Sequence, residues 1–330
     1  MIVGLLKNKK QVSVLSLLFI GVSLFAYNFA ISPSFIEIYN IQDNLLYHLI
    51  FGDFNISSIS YTVFNFVLIS LGAFVINLVS INSEVVSKEN LLPALFYFIF
   101  SFSAITSNQL QPILISNLFL ILSLHFLYNS YRTDNALSDL FNVGFFMSMA
   151  CCFYTYYVLI VALGLIGLFI LKSFNWREWL CFVLGVILPL FFFMSFAYLN
   201  GSDFLKPFSL FSHALKHLNT PVFSEYYLIL TSSFIFLILL SIGFYFKKGF
   251  GLRVKIQKAK FILIWLCVLC LIISLIDASS SMFLLPCAIP FSIIIGDYIG
   301  EIKQLKVANT LLSIVIAGFA IICLHNLDVI

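Results

Sequence analysis

Charge is what this sequence has least of. Only 9% of its residues are Asp, Glu, Lys or Arg, where an ordinary soluble domain carries about 25%. That scarcity excludes a conventional water-facing surface over most of the chain. Long polar stretches are also lacking, and no segment reads as a separate soluble domain. The net charge of +3 says little, because its distribution matters more than its sum. No nucleic-acid partner is expected.

A cysteine framework is absent as well. The seven cysteines all fall in apolar segments. Cys267-Val-Leu-Cys270 has metal-like spacing, but no second pair, no paired histidine and no polar loop accompanies it. It reads as small core-filling side chains, so no metal, cofactor or disulfide is expected. The 39 phenylalanines carry no functional signal, since Phe is an ordinary lipid-facing residue.

What is present in quantity is hydrophobic surface, at 62% of residues. Apolar runs recur from Val12 to Ile322, each near the roughly 20 residues that cross a bilayer. The fold class is therefore all-α, a polytopic helical membrane protein with one membrane domain over residues 1–330. Lys7, Lys9 and Lys10 precede the first run, Val12–Ile31. Its length favours an uncleaved span with the N-terminus in the cytoplasm. Further spans are expected at Ser60–Ser80, Leu91–Ser107 and Ile113–Tyr131, the last started by Pro112. Others follow at Glu178–Leu199, Glu225–Phe246, Phe261–Leu275, Ser281–Tyr298 and Val307–Leu324.

Residues 137–172 form one unbroken apolar stretch, and charge decides whether it is one span or two. With two spans, 15 of the 17 basic residues share one side, and only Lys206 and Lys216 face the other. With one span the split becomes 7 against 10. The positive-inside rule selects two. Tyr154, Tyr156 and Tyr157 then form an interfacial aromatic belt around the turn. The result is about eleven spans, with a cytoplasmic N-terminus and a periplasmic C-terminus.

The basic run Lys247–Lys260 reads as a cytoplasmic loop whose charge sets topology, with anionic headgroups as its alternative partner. Asn65, Asn77, Asn117, His125 and Asn142 lie within spans and suit helix–helix hydrogen bonds. Asp277 and Asp297 fall at span ends on opposite faces. Charge near the bilayer centre is nearly absent, which weighs against an ion-coupled transporter.

Ser173-Phe174-Asn175-Trp176-Arg177-Glu178-Trp179 is the densest polar-aromatic cluster between long apolar runs. Asn175 with Glu178 three residues on has capping-box spacing. Trp176 and Trp179 suit the headgroup level, and Lys172 and Arg177 the cytoplasmic face. The F-N-W-R-E-W motif resembles an uncharacterised polytopic inner-membrane family of Bacteroidota. Similar stretches are P-I-L-I-S-N-L-F-L at 112–120 and N-A-L-S-D-L-F-N-V-G-F at 135–145. The resemblance covers roughly residues 90–190 and implies a bacterial inner-membrane location, without an activity.

Two outward-facing loops, 32–59 and 200–224, hold the candidate chemistry. The first carries Glu37, Asp43, His48 and Asp53, with Leu45, Leu46, Leu49 and Ile50 at the spacing of an interfacial helix. The second carries Lys206, His213, Lys216 and His217 beside an apolar stripe. Three readings compete: a solvated surface, a His-x3-His metal site that lacks further ligands, and a lipid-phosphate site. In the last, Lys206, His213, Lys216 and His217 hold phosphate and Glu37 or Asp43 is the general base. This arrangement is similar to C-type integral-membrane glycosyltransferases, in which an acid lies early in the first outward loop. Glu37 matches that position, but Glu37-Ile-Tyr39 lacks the second acid of their pair.

The specific expectation is an outward-facing enzyme acting on a polyprenyl-phosphate-linked sugar, with membrane lipids as partners. A non-catalytic membrane subunit or scaffold is the alternative, followed by a transporter.

Overall fold

The structure is a computed structural model of the chain. It describes residues 21–23, 46, 50, 58–86, 90–103, 111–131, 133, 136–172, 174–199, 238–243, 253–277, 284–302 and 304–325. The named elements among them are all helical. They are α1 (Ser58–Asn82), α2 (Leu92–Ser103), α3 (Pro112–Asn129), α4 (Leu137–Phe153), a 3-10 segment (Thr155–Ile160), α5 (Val161–Leu171), α6 (Trp176–Leu199), α7 (Val254–Ile276), α8 (Leu284–Glu301) and α9 (Leu305–His325). Four contain stretches long and apolar enough to cross a membrane: Ser60–Asn82, Pro112–Asn129, Trp176–Phe196 and Val254–Ile276. A helix satisfies its own backbone hydrogen bonds, which is what hydrocarbon demands of a spanning segment. The molecule is a helical membrane protein.

Residues 137–172 fold as a hairpin. Tyr154 leaves the helical region at φ −137°, ψ 104°, and so ends α4. The 3-10 segment then turns the chain into α5. Lys172 Nζ, just past α5, donates to the carbonyl of Thr133, just before α4, at 3.1 Å. The two ends of the segment therefore lie at the same level. Midway along, Gly164 sits against Met147: a Cβ on Gly164 would lie 2.9 Å from its sulfur.

The expected aromatic belt is not what surrounds this turn. Tyr154 and Tyr157 are both fully buried. The Tyr157 hydroxyl donates to Asn117 Oδ1 on α3, and the Tyr154 hydroxyl donates to the carboxylate of Asp277. The two rings meet edge to face at 4.9 Å. Each phenol has an internal acceptor, so neither needs the headgroup water that draws tyrosine to an interface.

Packing is set by small residues and interior polar bonds. α4 packs along α6 and α3, α2 packs along α8, and α7 packs along α8. Gly296 lets α8 approach Pro93 at the start of α2, where a Cβ would lie 2.8 Å from the proline nitrogen. Asn117 Nδ2 donates to the carbonyl of Leu285 at 3.1 Å, tying α3 to α8. Ser116 Oγ donates to the carbonyl of Ala150 at 3.0 Å, tying α3 to α4. Cys267, Cys270 and Cys287 are buried free thiols within this core. By contrast, one face of α6 is open, with Leu184, Ile187, Phe191, Phe192 and Phe196 exposed. An apolar face of this kind suits contact with lipid chains.

One boundary moves with consequence. The last basic run does not stay a loop to Lys260, because α7 begins at Val254. Lys255, Lys258 and Lys260 are helical, and Lys260 is buried.

Candidate functional site at the basic end of the bundle

Glu37, Asp43, Lys206, His213, Lys216 and His217 all lie outside the described residues. Within loop 32–59, Leu46 and Ile50 are helical, and Leu46 packs against the core. The structure thus brings together a different set of charged side chains.

Seven basic residues are described: Lys172, Arg177, Arg253, Lys255, Lys258, Lys260 and Lys306. Their contacts gather at one end of the bundle. Lys172 pairs with Glu178 at 2.6 Å. Lys258 Nζ donates to the carbonyl of Leu171 at 3.3 Å and lies 5.4 Å from the Tyr131 ring centroid. Arg253 and Lys255 reach Glu84, at 3.4 and 3.6 Å. Lys260 pairs with Asp297 at 2.7 Å. Arg177 and Lys306 lie in the first turns of α6 and α9, at the same end. Among the described residues Asp277 alone carries charge at the opposite end, beside Tyr154.

The described part of the polar-aromatic cluster, residues 174–179, belongs to this end. Asn175 Oδ1 accepts from the Arg177 amide at 3.3 Å, capping α6 as its spacing predicts. Glu178 plays another role than the reciprocal half of a capping box. Its carboxylate is buried against Lys172. Trp179 packs on Phe169 at 4.6 Å between centroids, and Trp176 is largely exposed beneath Arg177, 5.7 Å away.

Where α1, α2, α7 and α8 meet, a pocket of about 390 Å³ opens. The turn after α1 supplies Glu84, Val85 and Val86, and the approach to α2 supplies Asn90. α7 adds Arg253, Ile256 and Lys260, and α8 adds Asp297, Gly300 and Glu301. Glu84 has a φ of 59°. A non-glycine residue held there is uncommon and strained, and such residues cluster at functional sites. Asn90 fixes the corner: Nδ2 donates to the carbonyl of Gly296 at 3.0 Å, and Oδ1 accepts from the Leu92 amide at 2.9 Å. Gly300 is required beside it, because a Cβ there would lie 2.1 Å from Asn90 Nδ2.

The Lys260–Asp297 pair forms the pocket's deep wall. Its side chains are only 7% and 3% exposed. Two charges taken out of water need each other, since either alone costs far more than the pair. Glu84 and Arg253 are instead 41% and 80% exposed, so solvent screens their attraction and their pairing is exchangeable.

Sequence reasoning left this pocket unassembled. Its signal was an acid, Asp297, at the end of one apolar span and a lysine, Lys260, at the edge of another. An ionisable residue inside a span asks for a named partner, and only the helix packing supplies one.

The helices and their one-sided basic charge define a polytopic helical membrane protein. The chain belongs to a family of unknown function, DUF6427, whose family model matches residues 33–328. Neither the curated proteins nor the solved structures contain a match to it.

Proposed function

We propose that the chain is an eleven-span protein of the bacterial inner membrane, with its basic end in the cytoplasm. Its outward face handles a polyprenyl-phosphate-linked sugar in the manner of a glycosyltransferase. The observation that supports the orientation is the gathering of every described basic residue at one end of the bundle, opposite Asp277. Cytoplasmic loops carry the excess of lysine and arginine. Loops 32–59 and 200–224 would then be periplasmic.

In that setting Lys206, His213, Lys216 and His217 hold the lipid phosphate as charge partners. Glu37 or Asp43 takes the proton from the acceptor hydroxyl. Alanine at Glu37 and at Asp43 tests this in a strain that depends on the protein. At least one variant should lose function while reaching the membrane at normal levels. Full function from both would remove the base from the mechanism.

A second reading is a non-catalytic membrane subunit, favoured by the broad apolar face of α6, where Phe191, Phe192 and Phe196 are exposed. Photocrosslinkers at these positions that trap only lipid would count against it. A transporter stands third, because the two buried ion pairs among the described residues both lie at the basic end of the bundle.

A further inference from the structure

The described residues that line the pocket at the basic end include none from loops 32–59 or 200–224, and they support a site of their own. Its volume, about 390 Å³, falls in the range of small-molecule sites, roughly 300–1,000 Å³. Its lining carries both signs of charge. Glu84, Asp297 and Glu301 supply carboxylates, and Arg253 and Lys260 supply cations. Ile81, Val85 and Ile256 add an apolar wall.

These features select among ligands. With Lys260 and Asp297 paired, a simple anion would face, among the described residues, the Glu84 and Glu301 carboxylates against Arg253. A simple cation would face Arg253 at the mouth. A zwitterion satisfies both walls at once. Arg253 is also the N-terminal cap of the 23-residue α7 and makes no side-chain cap bond. A phosphate there meets the guanidinium and the positive end of the helix together. Glu84, whose own ion pairs are long and solvent-exposed, can exchange them for a ligand ammonium. The apolar wall and the position at the end of a membrane bundle suit a ligand with a hydrocarbon part.

We propose that this pocket binds a phosphoethanolamine group, with phosphate on Arg253 and amine on the Glu84–Glu301 side. An aminophospholipid headgroup and a soluble phosphoamine share that chemistry. The Lys260–Asp297 pair is the neutral back wall that keeps the cavity polar without claiming the ligand's charges. The proposal does not depend on the outward-face chemistry, and its test leaves Glu37 and Asp43 untouched.

The full-length protein is reconstituted in vesicles of equal phosphatidylethanolamine and phosphatidylcholine, or of phosphatidylglycerol and phosphatidylcholine. Retained lipid is then read by native mass spectrometry. Phosphatidylethanolamine should be retained about tenfold over phosphatidylcholine, whose choline has no N–H to donate to Glu84. Glu84→Gln should reduce that preference about tenfold, and Arg253→Gln should reduce retention of both zwitterionic lipids about tenfold; both positions are exposed, and the melting temperature should stay unchanged. Free O-phosphoethanolamine is titrated in parallel. Competition with the lipid supports the shared headgroup chemistry. Binding of the soluble compound without lipid retention also supports it and assigns a soluble ligand. Equal retention of the two zwitterionic lipids with no binding of free O-phosphoethanolamine overturns the proposal. So does a preference for phosphatidylglycerol, or wild-type retention in both variants.

Discussion

Gly144 on α4 and Gly185 on α6 lie at a crossing with no room for a side chain on either helix. A Cβ on Gly144 would fall 2.2 Å from the carbonyl oxygen of Phe182, and one on Gly185 would fall 2.2 Å from that of Phe141. The obstacle in each case is backbone, which cannot rotate away. Small residues at such crossings let membrane helices pack closely where no hydrophobic force drives them together.

Alanine at either glycine should therefore push α4 and α6 apart. Overpacking costs about 1–3 kcal/mol, and leucine at the same position should cost more. Thermal unfolding of the purified protein in detergent measures this. A melting temperature unchanged by Gly144→Leu would contradict the crossing.

The Lys260–Asp297 pair predicts an asymmetry. Lys260→Met removes the cation paired with a carboxylate that is only 3% exposed, and should destabilise by about 3–5 kcal/mol. Lys260→Met combined with Asp297→Leu should recover most of that loss. Unfolding of the single and double variants gives the coupling. A double variant as unstable as the sum of the two singles would show that the residues do not act as a pair.

Tyr154→Phe removes the hydroxyl that donates to Asp277. A hydrogen bond to a charged group contributes about 1.5–3 kcal/mol, and a loss of that order is expected. Tyr156→Phe, on a half-buried neighbour, should have a smaller effect. Equal melting temperatures for the two variants would mean that the turn does not depend on the Tyr154 bond.

The hairpin predicts topology directly. Reporter fusions ending after residues 155 and 210 should report the outside, and fusions after 175 and 253 the cytoplasm. A cytoplasmic signal at 155 would make 137–172 a single crossing, incompatible with Lys172 bonding to Thr133.

Much of this architecture is legible without coordinates. Scarce charge and recurrent apolar runs specify membrane helices, because hydropathy is a local sum that needs no knowledge of neighbours. The one-sided placement of lysine and arginine required a turn near Tyr154, and the chain breaks there. Pro112 starts α3 and Asn175 caps α6 for reasons contained within a few residues. Partnership across helices was not legible in this way. It depends on how each helix is rotated about its axis and how deep each side chain sits. Tyr154 and Tyr157 looked interfacial and are buried, because Asp277 and Asn117 come from α7's end and α3 to meet them. Lys260 read as the last charge of a loop, yet α7 begins before it and turns it inward to Asp297. The sequence by itself thus determined the class of protein and the end on which positive charge collects. Only the tertiary structure decided which charges are consumed in pairs and which line a pocket, because that choice is made between residues far apart along the chain.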